Sequence, residues 1–357
     1  MRVIEVRNVH EALPEGMNLL FSEGIKESSR GGEVLVFPTP VCTVYTHPWE
    51  RVLFWSDRDA NPFFHLMESL WMLSGSRDVE WIARFNENMR SFSDDGKVFH
   101  GAYGYRWKRH FYCDDEPHHP VDQLDVVLNL LTIDRSSRRA VIQMWDCTHD
   151  LMVDGGSHKD LPCNTQIYLA VRGHHLDMTV LCRSNDIIWG AYGANAVHFS
   201  ILQEYLAQIL GLISGKLYQF SNNYHAYLDV FKKNHHLIGQ AKDPYKADSW
   251  NPYVSDEVVA APLVTRPASF MKELKIFMDE TFMGENYPDV FLDVEPENIF
   301  LRYAAAVRRS YLLWKEKKEV DEALEVLKNY TPDDWDFGVA CVQWLERRKE
   351  RSGSLAR

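Results

Sequence analysis

Two short segments carry residues that could do covalent chemistry together. Cys163 follows a proline where a predicted loop meets a strand, and Arg183 comes twenty residues later. Burial as a small, inert hydrophobic residue is the common fate of a free cysteine. An arginine near the thiol would lower its pKa from the free value of about 8.5 and favour the nucleophilic thiolate. Ser184 and Asp186 would then point from one side of the same extended segment.

Arg138 and Arg139 form a second basic pair, which has two interpretations. A cation pair at a helix end usually belongs to a solvated surface, whereas two guanidinium groups facing a site can clamp a phosphate. Three pairs of adjacent histidines suggest metal ligands, but neighbouring residues of a strand or helix point apart and chelate poorly. No metal site is therefore predicted at these pairs, which are His118-His119, His174-His175 and His235-His236.

The elements that must position these residues alternate between strands and helices in the first two thirds of the chain. The run from Val34 to Tyr45, interrupted by two prolines, predicts a kinked or edge strand. A glycine-bearing loop at 190–194 opens a helix that Gly211 ends. Helices are predicted at 62–73, 121–134 and 196–210, and strands at 140–145, 165–171, 176–182 and 216–220, with His225 just beyond the last strand.

The remainder of the chain is predicted to be helical. Residues 239–267 are rich in proline and polar side chains, which indicates a domain boundary or a long surface excursion. The fold class is therefore α+β, with a mixed domain at 1–266 and a helical C-terminal extension at 267–357. Its helices are predicted at 270–282, 299–317 and 320–329, followed by a last helix with Thr331 as its cap and Pro332 at its first position.

The composition disfavours several classes of partner. A formal net charge of -12 argues against a nucleic-acid polymer or an anionic membrane, because such binding needs a basic face. No apolar run approaches membrane-spanning length, and the N-terminus has no signal-peptide pattern. The 6 cysteines are scattered without a C-x-x-C pair, so neither a disulfide framework nor a zinc ribbon is predicted. A reducing cytoplasm is the expected location.

Seven segments, each weak alone, together resemble the thymidylate synthase family. They follow the order and approximate spacing of its motifs and cover roughly residues 25 to 235. The resemblance implies the family's mixed sheet packed with helices. The segments are 68–71 (Glu-Ser-Leu-Trp), 103–107 (Tyr-Gly-Tyr-Arg-Trp), 137–139 (Ser-Arg-Arg), 160–164 (Asp-Leu-Pro-Cys-Asn), 183–186 (Arg-Ser-Asn-Asp), 190–195 (Gly to Asn) and 225–227 (His-Ala-Tyr).

The resemblance implies covalent chemistry on a pyrimidine nucleotide. Cys163 would add to C6 of the ring and make C5 nucleophilic. A buried carboxyl such as Glu68 can shuttle protons near neutral pH, and with Tyr103 it would do so through ordered water. Asn195 would read the base edge, since an amide can donate to O4 of uracil and accept from N3–H.

The resemblance also implies the ligands and their remaining contacts. The carbon donor would be 5,10-methylenetetrahydrofolate, with no metal. Asp186 would contact its pterin. A tryptophan is more often part of a core, but Trp189 adjoins Gly190 and could line the folate cleft. The protein would be a homodimer. The other binding residues implied are Arg30 and Arg183 for the phosphate, Ser184 for the phosphate or the nucleophile, His225 and Tyr227 for the sugar hydroxyl, and Arg138 and Arg139 for the phosphate bound by the partner subunit.

The chain departs from the synthase pattern in ways that bear on the product. Asn164 and Cys182 replace a histidine and a glutamine, and the loop before Asn195 is one residue longer. Segment 86–95 lacks the tryptophans that pack beside the folate, and Phe92 is its nearest aromatic residue. Charged helices stand where synthases have a short tail that closes over the site.

Without that closure, water could add to the methylene intermediate. The favoured product is therefore 5-hydroxymethyl-dUMP, with dUMP as the substrate because Asn195 suits uracil. Three alternatives stay open at this point. They are a thymidylate synthase that makes dTMP, a hydroxymethylase of dCMP or CMP, and an inactive nucleotide- or RNA-binding regulator.

Overall fold

The extended segments of the first 227 residues build one large sheet and one small ribbon. The computed structural model describes residues 1–29, 31–113, 116–151, 158–240, 251–255, 257–279 and 290–355. The strands are β1 (Arg2–Val6), β2 (Ile25–Ser29), β3 (Gly32–Val36), β4 (Val41–Tyr45), β5 (Tyr112–Cys113), β6 (Glu116–Pro120), β7 (Val141–Gln143), β8 (Asn164–Arg172), β9 (His175–Asp186) and β10 (Ile213–Tyr227).

The large sheet is mixed and has 8 strands. Its main order is β1-β4-β10-β9-β8-β7, and β3 pairs with the far end of β10 and carries β2 at its outer side. β9 and β10 run parallel, with Ser184 opposite Asn223 and Asp186 opposite His225. Because the carboxyl ends of parallel strands meet at one edge of a sheet, the two motif-bearing segments lie side by side.

Helices cover the sheet and form the C-terminal region. Asn61 caps the helix that starts at Pro62, where its side chain accepts from the Phe64 N–H at 3.2 Å. The helices are α1 (Val9–Glu23), α2 (Pro62–Leu73), α3 (Val79–Ala83), α4 (Tyr103–Lys108), α5 (Gln123–Ile133), α6 (Asn195–Ile209), α7 (Leu228–Lys233), α8 (Pro267–Met278), α9 (Val290–Asp293), α10 (Ile299–Leu312), α11 (Val320–Tyr330) and α12 (Asp336–Leu355).

Two helices that carry predicted proton-handling residues touch at a glycine. Gly104 of α4 lies against the end of α2, where an added Cβ would stand 1.7 Å from the Met72 carbonyl oxygen. Any side chain at this position would force the backbones apart. The separation of α2, which carries Glu68, and α4, which carries Tyr103, is therefore set by direct backbone contact.

The C-terminal helices pack on the outer side of α2. The ring of Phe63 lies 5.5 Å from that of Trp344 in α12 and 5.2 Å from that of Tyr311 in α10. At the edge of this contact, both carboxylate oxygens of Asp59 accept from Arg348, at 2.8 and 2.9 Å. One cluster of buried hydrophobic side chains runs through the sheet region and the C-terminal helices.

Most predicted helices and strands are confirmed, with shifted ends, but several predictions were wrong in detail. The run 34–45 is two strands, because its prolines lie in a turn between β3 and β4. His225 lies within β10 rather than beyond it, and residues 313–317 form a π-helical turn after α10. Thr331 closes α11 by donating to the Leu327 carbonyl, so the last helix begins only at Asp336.

Two predictions fall partly outside the described residues. These are the end of the helix predicted at 270–282 and much of the boundary segment 239–267. In the part of the chain that the structure covers, no helix is both long and apolar enough to cross a membrane.

Candidate active site

A cleft of about 800 Å³ opens at the carboxyl ends of β9 and β10. This volume is in the usual range of small-molecule sites. Five of the predicted site residues line it together: Cys163, Arg183, Ser184, His225 and Tyr227. Residues of the turn between β2 and β3 form another part of the wall, and Arg30, predicted to bind phosphate from this turn, lies outside the described residues.

Cys163 is half-buried in this wall and is held by Arg183. The Arg183 backbone N–H donates to the Cys163 carbonyl at 2.9 Å, and its Nε donates to the Pro162 carbonyl at 3.0 Å. The expected lowering of the thiol pKa was wrong in its net direction. Burial raises the pKa of Cys163, Arg183 opposes this, and the negative charge of Asp160 adds to the increase. Burial disfavours the thiolate more than one arginine favours it.

His225 and Tyr227 occupy the end of β10 next to Ser184. His225 is buried, and its Nδ1 has no hydrogen-bond partner among the residues that the structure describes. Tyr227 lies so near the β2–β3 turn that a Cβ at Gly31 would be 2.8 Å from its ring. A buried donor or acceptor without a partner is costly. His225 therefore lines the cleft with one ring nitrogen that is buried and unpaired among the described residues.

Tyr103 and Glu68 are not among the described residues that line the cleft, but they adjoin it. Burial raises the pKa of Tyr103 well above its usual value; the nearby Cys163 adds to this, and a hydrogen bond with the Asn164 backbone opposes it. Glu68 is buried, and its Oε2 lies 2.9 Å from Nε2 of His198. Their proton-handling roles stay predictions.

Asn195 is the first residue of α6. The segment before it, which was predicted to be a loop, is a π-helical turn that continues into α6. Residues Ile187–Ala194 form this turn, with non-helical backbone angles at Tyr192 and Gly193. A π turn accommodates one extra residue in a helix, which matches the longer spacing in the sequence. Asn195 is 7% exposed and donates to Asn185 Oδ1 at 3.1 Å. Its reading of a base edge is not tested by this placement.

The predicted folate contacts lie beside the cleft. Asp186 caps the π turn by accepting from the Ile188 and Trp189 N–H groups at 2.9 and 2.6 Å. Burial raises its pKa against these hydrogen bonds and the nearby His225. Trp189 is 56% exposed, and the Arg58 guanidinium stands 4.6 Å from its ring centre. An exposed indole backed by a cation can receive a flat ring.

Arg138 and Arg139 are exposed and do not line the cleft.

Asn164 and Cys182, two departures from the synthase pattern, lie opposite each other in the β8–β9 ladder and are buried. Asn164 donates to the Leu181 carbonyl at 2.8 Å, so its side chain supports the sheet.

Sequence reasoning gave no role to several residues at or near the cleft, among them Lys159 and Asn223, which line it. Phe92 and Asp160 line it, and Arg58 supports Trp189. The position of Asp160 three residues before the cysteine was a signal for it, whereas nothing in the sequence distinguished Arg58.

Three side chains with metal-ligand atoms lie close together elsewhere in the described chain. One ligand atom from each of His110, Asp146 and His149 lies within 4.8 Å of the others. Arg106 Nη1 stands 3.1 Å from His110 Nε2, so a positive charge already faces one of these atoms. These three side chains therefore belong to a network of hydrogen bonds and ion pairs.

Comparison with known proteins agrees with this geometry. Residues 58–249 match the family model described as thymidylate synthase. The chain is 46% identical to the deoxyuridylate hydroxymethyltransferase of Pseudomonas phage M6 over 98% of its length and 95% of that protein. The proteins of the same name from Bacillus phage SP01 and Delftia phage PhiW-14 are 36% and 27% identical, over 60% and 89% of this chain and 56% and 88% of their own lengths. The chain belongs to the thymidylate synthase family.

Proposed function

We propose that this protein transfers a one-carbon unit from 5,10-methylenetetrahydrofolate to C5 of dUMP and that water completes the reaction to give 5-hydroxymethyl-dUMP. The observation that carries the proposal is Cys163 in the wall of a cleft shared with Arg183 and His225. The relatives named deoxyuridylate hydroxymethyltransferase support it.

The cleft residues match the parts of a nucleotide. Arg183 and Ser184 suit the phosphate, because a guanidinium and a hydroxyl both donate to its oxygens. His225 and Tyr227 suit the sugar hydroxyl. Attack of the Cys163 sulfur on C6 makes C5 nucleophilic towards the methylene carbon. Glu68 and Tyr103 move protons beside the ring.

The folate fits beside the nucleotide in the region of Trp189 and Asp186. The exposed indole supplies a flat surface for the pterin, and the Asp186 carboxylate accepts from its ring N–H groups. The co-substrate supplies the one-carbon unit, water supplies the hydroxyl group, and side chains of this protein bind the reactants, attack C6 and move the protons.

Two features favour water over hydride as the final reactant. Phe92, 51% exposed, is the aromatic residue of segment 86–95 at the cleft. The described C-terminal residues 336–355 form a helix that packs on α2 through Trp344, and the described residues that line the cleft come from other elements. Water access to an exocyclic methylene carbon yields a hydroxymethyl group. Asn195 favours uracil over cytosine because its amide complements O4 and N3–H.

The test is a competition among nucleotides. Purified protein is incubated with 5,10-methylenetetrahydrofolate and equal amounts of dUMP, dCMP, UMP and CMP, and products are identified by mass. We expect 5-hydroxymethyl-dUMP without dihydrofolate absorbance, and no product with Cys163→Ser. Formation of dTMP with dihydrofolate would show a thymidylate synthase, and a hydroxymethylated cytosine nucleotide would overturn the assignment of the base.

A further inference from the structure

Asp160 lines the cleft three residues before Cys163 and has no part in the roles assigned so far. Its Oδ2 accepts from the Gly101 N–H at 2.9 Å. Gly101 is packed so tightly here that a Cβ would lie 2.9 Å from both the Asp160 carbonyl oxygen and the Pro162 nitrogen. The carboxylate and the nucleophile therefore stand on one short segment whose backbone is fixed.

The surroundings of Asp160 favour proton exchange near neutral pH. Burial raises its pKa to about 6, and the Gly101 N–H and Arg106 oppose this increase less strongly. A general base is most effective when its pKa lies near the working pH. The charged and titratable groups around it are Glu68 on α2, Asp94 in the loop before α4, Tyr103 and Arg106 on α4, and Cys163 on its own segment. Lys159 and Arg183 line the same cleft.

Glu68, the other carboxyl predicted to handle protons, is placed differently. It is buried against His198 and does not line the cleft within the described chain. Of these two carboxyl groups, Asp160 is therefore the one that lines the cleft together with Cys163.

We propose that Asp160 is the base that removes a proton from the water captured by the exocyclic methylene carbon. This inference rests on the proposed function. It gives the two carboxyl groups separate tasks, with Glu68 beside the ring and Asp160 at the entering water.

The step balances in atoms and electrons. The water oxygen bonds to the methylene carbon, its proton passes to Asp160, and the carbon–carbon π pair moves to O4 as an enolate. The enolate then re-forms the C4 carbonyl and the ring C5–C6 double bond. The C6–S bond breaks, and Cys163 leaves as the thiolate, which can take the proton from Asp160.

Azide provides a competitor that separates this step from all earlier ones. Azide is an anion and needs no base, so it should trap the methylene carbon as 5-azidomethyl-dUMP whether or not Asp160 is intact. In Asp160→Asn the amide oxygen can still accept from Gly101, but it cannot accept a proton. We expect the ratio of hydroxymethyl to azidomethyl product to fall about a hundredfold or more. Asp321→Asn, which changes an exposed carboxylate on α11, should leave the ratio unchanged.

The wild-type protein gives an independent measurement. Because the carboxylate is the active form, the same ratio should rise with pH up to about 6 and level off above it. If Asp160→Asn shows no cooperative thermal unfolding and therefore does not fold, the pH dependence of the wild-type product ratio tests the role of Asp160 by itself.

A third measurement needs neither substrate. The negative charge of Asp160 raises the pKa of Cys163, so Asp160→Asn should move the pH midpoint of Cys163 alkylation by iodoacetamide downwards. An unchanged midpoint would show that the two groups do not face each other and would overturn the inference.

The two proposals fail in different ways. If the wild type forms neither product nor a Cys163 adduct with 5-fluoro-dUMP and the folate, the proposed function is wrong. If the wild type forms 5-hydroxymethyl-dUMP and Asp160→Asn gives the same product ratio, the function stands and the role of Asp160 is wrong.

Discussion

Cys163 lies between two charged neighbours with opposite effects on its reactivity. Burial and Asp160 raise the pKa of the thiol, and Arg183 lowers it. The free protein therefore keeps most of this thiol protonated at neutral pH. A protonated thiol protects the sulfur from oxidation, since only the thiolate reacts readily.

Removing the favourable neighbour should make the thiol less acidic. In Arg183→Gln we expect the pH midpoint of Cys163 alkylation to move upwards, because the cation that stabilises the thiolate is lost. Binding of dUMP should weaken at least tenfold if this side chain holds the phosphate. Arg172→Gln, at the exposed β8–β9 hairpin, is the matched control. Equal midpoints for the two variants would contradict the placement of Arg183.

Some of the residues that line the cleft could be predicted from the order of the sequence motifs along the chain. Arg183, Ser184, His225 and Tyr227 come together because their segments end two parallel strands, and the motifs fixed their order. Asp160 required the structure, since its pKa depends on packing against Gly101 and on charges from other helices.

At the scale of elements, the C-terminal helices form a support for α2. Trp344 and Tyr311 pack against Phe63, one turn before Glu68 on the same helix. Asp59 joins α12 to the segment before α2 and is 25% exposed. This arrangement gives the helical extension a structural task at a distance from the cleft.

Breaking this junction should cost stability. At neutral pH the Asp59 carboxylate is ionised; burial raises its pKa, but hydrogen bonds from Arg348 and Arg351 lower it overall. Asp59→Asn keeps a residue that tolerates the left-handed backbone at φ 47° and removes the charge. We expect a loss of about 1–3 kcal/mol in the free energy of unfolding by urea.

The control for Asp59 is an exposed ion pair on the same C-terminal helices. Asp321→Asn breaks the pair with Lys349 and should cost less than about 0.5 kcal/mol. As the pH falls through the lowered pKa of Asp59, the wild type should lose its advantage over Asp59→Asn. Equal losses for both variants would show that the junction does not support α12.

Element boundaries were harder to predict than the elements themselves. The apolar spacing of 62–73 predicts its helix, because one face must be buried. The Thr-Pro-x-Asp pattern at 331–334 resembles a helix start, but the Thr331 hydroxyl serves the end of α11. The two glycines at 190–193 read as a loop, whereas packing against neighbouring helices holds this segment as a π turn.

At the scale of the whole molecule, the predicted phosphate-binding arginines of the described chain do not all meet at one cleft. Arg183 is the arginine that lines the cleft in the described residues, and Arg138 and Arg139 are exposed elsewhere. We propose a homodimer in which this pair reaches the phosphate bound by the partner subunit. Lys159 and Arg183 supply cations at the cleft of the described chain, and two guanidinium groups from the partner subunit would add bidentate contacts to the phosphate oxygens.

Mixed subunits test this arrangement. Cys163→Ser and the double variant Arg138→Ala/Arg139→Ala should each be nearly inactive alone. After equal mixing and subunit exchange, about half of the dimers are hybrids with one site that has both Cys163 and intact partner arginines. We expect activity of about a quarter of the wild-type value, and the absence of any recovery would show that the arginines act within their own chain.

The contact at Gly104 has a consequence for how this protein can change. The space between α4 and α2 holds no atom that could be trimmed to make room, so position 104 encodes a spacing and contributes no functional group. Selection for turnover in a library randomised at this codon should return glycine alone, although the residue touches no ligand. Substitutions that alter the chemistry must therefore occur at the side chains on either side of this contact, while the spacing of α2 and α4 stays constant.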